Sequence, residues 1–329
     1  MAEGEGLRGI ELTPELPVDE VADLGAAAEA AGFDTVFASG HYFNRDPMLA
    51  LDRVAAATDD VALGPGVANP YDVHPVKLAT QVGTLDEVSD GRAVCGVGAG
   101  DRSTLLNLGV ERDRPLRRVL ETMKVSQKLW AGDRVDHEGT FTARNAGLNY
   151  DVGEIPVYVG AQGPHMLQMA AKHADGVLYN ASHPDDVAWA AERVAAGREQ
   201  RPDSRGEFEF VVFASVSVAE ERAAAREAAR PPVAFITAGA EEAVLQRHDI
   251  AELDAARVAE AVEAGEYGEA AARVTEGMLD AFAVAGTPDE VAARLSAFLD
   301  DADGFVAGSP LGPDRADAID LLGDVLDRV

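Results

Sequence analysis

The sequence predicts an α/β protein, a (β/α)8 barrel of TIM type. Three observations predict it. Short β-rich runs alternate with segments whose apolar residues recur at helical spacing. Eight such runs fit within 329 residues, and a (β/α)8 barrel typically needs about 250. The first run ends "IELTPELPVDE", without the glycine loop that a dinucleotide-binding doubly wound sheet would place there.

The strand candidates, in order, are "LRGIEL", "FDTVFAS", "DVALGPGV", "RAVCGVG", "IPVYVG", "DGVLYN", "FEFVVFASVSV" and "GFVAG". Helical segments separate them. In "VDEVADLGAAAEAAG", Val18, Val21, Leu24 and Ala28 fall on one face. Alternating strands and helices imply parallel strands and right-handed crossovers. Two stretches exceed the barrel. "RVDHEGTFTARNAGLNY" reads as a β-hairpin before strand five. A long helical excursion, about Ala219 to Leu299, follows strand seven and contains no convincing strand. No repeat is evident beyond strand–helix alternation, so residues 1–329 are read as a single domain.

Composition narrows the function classes. Asp plus Glu number 58 against 28 Lys plus Arg, a net charge of −30. Such a surface repels nucleic acid and anionic membranes. The acid is spread over helical segments such as "AAERVAAGREQRPD", and only Lys77, Lys124, Lys128 and Lys172 are lysines. That pattern suits a protein working in concentrated salt, where screening shortens self-repulsion; an acidic protein of a GC-rich genome is the alternative, and the size of the imbalance favours the first. No apolar run is long enough for a membrane span, and "MAEGEGLRG" lacks the apolar core of a secretory signal. The expected location is cytoplasmic. The one cysteine, Cys95, excludes an intrachain disulfide and lies inside strand four as a core thiol.

Barrel enzymes carry their chemistry at the C-terminal ends of the strands. Strand one ends on Glu11, next to Ile10, so its carboxyl points into the mouth. A carboxyl group withdrawn from water can be kept protonated and can then deliver a proton. A salt bridge to Arg45 or Arg102 is the structural alternative. Strand four ends "GVGAGD". Asp101 stands where a phosphate loop needs its third glycine, so this is a strand end presenting an acid. Strand two supplies "SGHYFNRD", with His41 and Asn44. Without a second histidine at helical spacing, His41 suits a wall beside a flat ligand better than a metal site, and no metal is expected. "GAQGPHM" after strand five places Pro164 at a first helical position, where free amides suit one phosphate. "AGSPLGP" after strand eight competes for that role. His165 and His183 sit at helix starts, where imidazoles are often merely solvated. "LGPGVANPYD" closes strand three with glycine and proline, which mark bulges or the close approach of another group.

These strand ends, in this order, resemble the coenzyme F420-dependent methylenetetrahydromethanopterin reductases of the bacterial-luciferase-like superfamily, in a salt-adapted archaeal form. The resemblance rests on "HYFNRD", "LGPGVANPY", "EVSDGRAVCGVGAGD", "VYVGAQGPHML", "ADGVLYNASHP", "PVAFITAG", "RHDI" and "VAGSPLGP", and it covers nearly the whole chain. It implies F420 in the barrel mouth, backed by a non-prolyl cis peptide at Gly66–Val67. It implies cofactor contacts from His41, Asn44, Gly66, Val67, Ala68, Gly98, Gly160, Ala161, Gln162, Gly163 and Asn180. The implied reaction reduces the methylene group of a tetrahydropterin to methyl, with Glu11 as the acid and Asp101 tuning it or binding the pterin. Pro70 stands where methanogen versions commonly read serine, which leaves methanopterin and folate both open as the pterin. A homo-oligomer is implied as well.

Three other functions keep the same barrel. An F420-dependent oxidoreductase could act on an alcohol or sugar phosphate. An FMN-dependent monooxygenase would need an oxygen-handling site. A non-catalytic flavin-binding relative is disfavoured by the two acids and the glycine bulge.

Overall fold

The computed structural model describes residues 6–40 and 43–329, with Arg102 and Ser103 as backbone. Its strands in chain order are β1 (Arg8–Glu11), β2 (Thr35–Ala38), β3 (Ala62–Pro65), β4 (Cys95–Val97), β5 (Val135–Glu138), β6 (Thr142–Ala146), β7 (Val157–Ala161), β8 (Gly176–Asn180), β9 (Glu209–Val218), β10 (Val284–Gly286) and β11 (Gly304–Leu311). Eight of them form a parallel sheet in the order β3-β2-β1-β11-β9-β8-β7-β4. Two parallel bridges, Leu63 to Ala93 and Ala68 to Val97, join its ends. The eight barrel strands are the eight runs read from the sequence.

Helices α1 (Val18–Ala30), α2 (Pro47–Ala57), α3 (Pro75–Val88), α4 (Arg102–Asn107), α5 (Pro115–Trp130), α6 (Pro164–His173) and α7 (Pro184–Arg198) follow the first six barrel strands. Five of these begin at proline, whose fixed φ and missing N–H suit a first helical position. Between α5 and β7, strands β5 and β6 pair antiparallel as the expected hairpin. Glu121 of α5 anchors it, accepting from the Thr140 amide and hydroxyl at 2.7 Å each and contacting His137 at 3.2 Å.

The excursion after β9 folds as α8 (Arg222–Gly239), α9 (Glu242–Arg247), α10 (Glu252–Glu263), α11 (Tyr267–Arg273) and α12 (Glu276–Phe282), around a core of its own that includes Val233, Val258, Met278 and Phe282. It then returns through α13 (Pro288–Phe298), and α14 (Arg315–Leu326) closes the chain. The expected absence of a strand in the excursion does not hold. The excursion does hold a strand, β10, which pairs parallel to β9 from Val216 to Val218. At ten residues β9 is long for a barrel strand, and its upper end offers an edge that three residues can pair with.

The strands are buried on both faces, as parallel strands between helices must be. Ile10, Val36, Val97, Val159, Tyr179 and Val212 pack outward in the layer beneath the helices. Phe37, Leu178, Val211 and Val306 fill the barrel interior. This two-residue alternation places Glu11, level with Phe37 in the β1–β2 register, on the inner face. The same parity turns Gly98, Gly160, Asn180 and Ser215 inward at their strand ends.

Candidate active site

Glu11 is 2% exposed and is held by two hydroxyl residues. Thr13 Oγ1 donates to Oε1 at 2.6 Å. The Ser309 amide and Oγ donate to Oε2 at 3.1 and 2.9 Å. The two hydroxyl oxygens lie 2.9 Å apart. Neither salt-bridge candidate is among these partners: Arg45 donates instead to the Glu15 carbonyl, and the Arg102 side chain lies outside the described residues. β11 delivers Ser309 through a register shift between Gly308 and Leu311, a cis Ser309–Pro310 peptide and a Leu311 φ of 69°. "AGSPLGP" is therefore not a phosphate cradle at Ser309, because that amide faces a carboxyl group. Two further bonds tie the rim together. Ser215 Oγ donates to the Ser309 carbonyl at 2.9 Å, and Ser182 Oγ accepts from the Ser215 amide at 3.1 Å.

Two strands along from Glu11, the Gly66–Val67 peptide is cis, as the resemblance implies. A Cβ on Gly66 would sit 2.8 Å from Phe37 Cβ, so only glycine lets strand three lie this close to strand two. Ser39 Oγ donates to the Gly66 carbonyl at 2.9 Å. Beyond the bulge, the Ala68 amide donates to Gly96 and the Gly98 amide to Ala68, at 2.8 and 3.0 Å. Val67 lies over the bare backbones of two neighbouring strands. A Cβ at Gly98 would come within 2.5 Å of Val67, and one at Gly160 within 3.2 Å. The result is an apolar wall in which Val67 packs against Gly98 and Gly160. Arg118 braces the bulge from outside, donating to the Pro70 carbonyl at 2.6 and 3.0 Å and to the Thr140 carbonyl while lying over the Tyr71 and Phe141 rings.

The loop from β7 to α6 runs through Gln162 and Gly163. Gly163 caps α6 without a side-chain bond, and a Cβ there would meet nothing within 4 Å. Gln162 Nε2 donates to the Asn180 carbonyl at 3.4 Å, and both residues are exposed. These groups can receive a polar tail leaving the mouth. The Ala161 methyl packs in the outer layer under the helices, so its backbone is the part that can face a ligand. Asn44 is half-buried in the loop before α2, and His41 lies outside the described residues.

Asp101 stands apart from Glu11. It is exposed, and its carboxylate caps α4 by accepting from the Thr104 amide at 2.7 Å. It stands on the rim, whereas Glu11 is buried in the wall. His183 is more than a solvated helix start. Its Nδ1 accepts from the Asp185 amide at 3.2 Å, and its ring lies 4.8 Å from that of His248. Burial, then His248 and Arg294, push its pKa down. His248 Nε2 is 2.8 Å from the buried Asp186. Burial works against ionised Asp186, but bonds from His248 and Arg247 hold its carboxyl below the ordinary value. This cluster pins the helical excursion to the start of α7, just after β8, a role that "RHDI" alone does not reveal. Cys95 is buried, and burial pushes its thiol up to about 12, so it is inert, as its place in strand four suggests.

Thr13 and Ser309 carry little signal in the sequence. The available signals were a threonine two residues beyond Glu11 in "IELTPEL" and a Ser-Pro pair ending the last strand.

Residues 6–302 match the model of a family described as luciferase-like monooxygenase. The 5,10-methylenetetrahydromethanopterin reductase of Archaeoglobus fulgidus is 42% identical over 321 residues, 96% of this chain and 97% of that one. The enzyme of the same name from Methanopyrus kandleri is 35% identical over 96% of each chain. The solved structure of the coenzyme F420-dependent tetrahydromethanopterin reductase from Methanopyrus kandleri superposes with a TM-score of 0.90 at 34% identity, covering 97% of each chain. An F420-dependent secondary alcohol dehydrogenase, at 20% identity and a TM-score of 0.80, shares the fold. The chain belongs to the luciferase-like family of barrels, among its 5,10-methylenetetrahydromethanopterin reductases.

Proposed function

We propose that the chain is an F420-dependent reductase that converts the methylene group bridging N5 and N10 of a tetrahydropterin into a methyl group. The observation that carries this is the buried carboxyl of Glu11, held by Thr13 and Ser309 in the inner wall of the same mouth as the Gly66–Val67 bulge. The named relatives support F420 and the methanopterin substrate.

The residues fit the cofactor. The wall formed by Val67 over Gly98 and Gly160 is flat and apolar enough for a deazaflavin ring. Asn44, Gln162, Gly163 and Asn180, with the Ala161 backbone, supply polar groups for the rest of the molecule. When bound, reduced F420 supplies the hydride. The chain's own work is then proton supply and positioning. The methylene carbon accepts hydride readily only as an N5 iminium, which forms when N10 leaves with a proton. Glu11 holds that proton. Asp101, on the rim, is assigned to binding the pterin.

Replacing the acid tests the assignment. Glu11→Gln keeps the shape of the side chain and should bind F420 with parental affinity while losing about 10²–10⁴-fold in methylene reduction, the usual contribution of a general acid. Turnover within a few-fold of the parent would make Glu11 structural. Running methanopterin and folate substrates in parallel decides the pterin.

The −30 charge supports three further parts of the proposal: function in concentrated salt, a homo-oligomer held together by that salt, and no nucleic acid or anionic membrane as partner. Among the described residues, no helix is long and apolar enough to cross a membrane.

A further inference from the structure

We infer that Glu11 does not meet the substrate directly: Thr13 and Ser309 complete a hydrogen-bonded ring that keeps the carboxyl protonated, and Thr13 hands its proton on. This rests on the reading of Glu11 as the acid and adds two positioning residues to it.

Counting protons leads to this conclusion. The ring has three oxygen–oxygen contacts: Glu11 Oε1 to Thr13 Oγ1 at 2.6 Å, Thr13 Oγ1 to Ser309 Oγ at 2.9 Å, and Ser309 Oγ to Glu11 Oε2 at 2.9 Å. Each contact needs one proton. The two hydroxyls supply two, and the Ser309 amide uses its own on Oε2. If Glu11 is ionised, one contact has lone pairs facing each other at hydrogen-bond distance. If Glu11 carries a proton, the Thr13 contact reverses and the circuit closes: Oε1–H donates to Thr13, Thr13 to Ser309, and Ser309 to Oε2. Among these partners no cation stands beside the carboxyl to hold it ionised.

Exposure gives the direction of transfer. Glu11 is 2% exposed, and both its oxygens are covered by hydroxyl groups. Thr13 and Ser309 are half-buried, so a substrate nitrogen reaches a hydroxyl before it reaches the carboxyl. Thr13 makes the shorter contact. In the step, the N10 lone pair takes the Thr13 proton as Thr13 Oγ1 takes the proton of Glu11. The bond from N10 to the methylene carbon breaks with its electron pair on nitrogen. Glu11 is left as a carboxylate accepting from both hydroxyls and the Ser309 amide, and water at the mouth restores its proton.

Infrared spectroscopy of the ligand-free protein at neutral pH tests this directly, through the C=O stretch of a protonated carboxyl group. The band should be present in the parent, absent in Glu11→Gln, lost in Thr13→Val and retained in Thr13→Ser. In single-turnover reduction Thr13→Val should lose about tenfold or more, against the 10²–10⁴-fold typical of losing an acid altogether. Its F420 affinity should stay within about twofold, and Thr13→Ser should restore the rate. If Thr13→Val does not fold, Ser309→Ala opens the same ring on the Oε2 side and should lose the band. A parent spectrum with no band that Glu11→Gln removes would overturn the ring, even where Glu11→Gln abolishes reduction and the acid role stands. A Thr13→Val enzyme with parental band and rate would overturn the hand-over through Thr13.

Discussion

Gly66 and Glu11 face the same space, Gly66 constrained by Phe37 and Glu11 by Thr13 and Ser309. At Gly66 the neighbour is Phe37, fully buried and unable to retreat from a Cβ placed 2.8 Å from its own. Gly66→Ala should therefore lower stability by about 1–3 kcal/mol, the usual cost of overpacking a filled core, and weaken F420 binding as strand three moves off the wall. Thermal unfolding and fluorescence titration with F420 measure the two effects, and a variant unchanged in both would show the contact to be soft. Glu11 was legible in the sequence because strand alternation fixes its side: Ile10 packs outward, so Glu11 turns inward. Its partners were not legible. Thr13 and Ser309 are 296 residues apart, and only barrel closure, with the irregular end of β11, brings them together. Asp101 was legible as a strand-end acid, but its capping of α4 depends on the turn that follows.

The hairpin and its anchor show how an added element is fixed to a barrel. The Glu121 carboxylate contacts Arg117, His137 and both the amide and hydroxyl of Thr140. Burial opposes its charge, but the bonds from Thr140, Arg117 and His137 outweigh that and bring its pKa from 4.5 to about 2. A folded-state value below the ordinary one means the unfolded chain takes up the proton first. Glu121 thus contributes stability that is complete above about pH 4.5 and is lost as pH falls toward about 2. Denaturant midpoints followed across that range should fall less steeply in Glu121→Gln than in the parent. Equal slopes would show that the hairpin is held by Arg118 and its ring contacts instead. The hairpin itself was legible from its polar alternating run between two helix–strand units. β10 was not: three residues carry no period, and its pairing depends on how far β9 extends past the barrel.

For the whole molecule, charge is the dominant long-range term. The −30 net charge acts over about 10 Å at 0.1 M salt and about 3 Å at 1 M. Arginines bridge some of the acid within the chain, as Arg226 does between Glu276 and Asp280, but 58 acidic against 28 basic residues leave a large net excess. Subunits should therefore associate in molar KCl and loosen as salt is removed, with activity falling in parallel. Light scattering at high and low KCl measures this. A monomer active at both salt levels would remove the assembly, and an oligomer indifferent to salt would remove charge as its control. The barrel was legible at this scale because eight strand–helix units leave few topologies. The separate core of the helical excursion was not, since its helices pack on one another through contacts that no local period specifies.

The most direct measurement mixes the enzyme anaerobically with reduced F420 and methylene-tetrahydromethanopterin and follows the visible absorption of oxidised deazaflavin. The band should rise in step with methyl-tetrahydropterin, one for one, and should rise slowly or not at all with Glu11→Gln despite normal F420 binding. Tight F420 binding with no oxidation by either the methanopterin or the folate substrate, while an alcohol or sugar phosphate turned over, would contradict the pterin reduction and leave a different F420-dependent oxidoreductase on the same barrel.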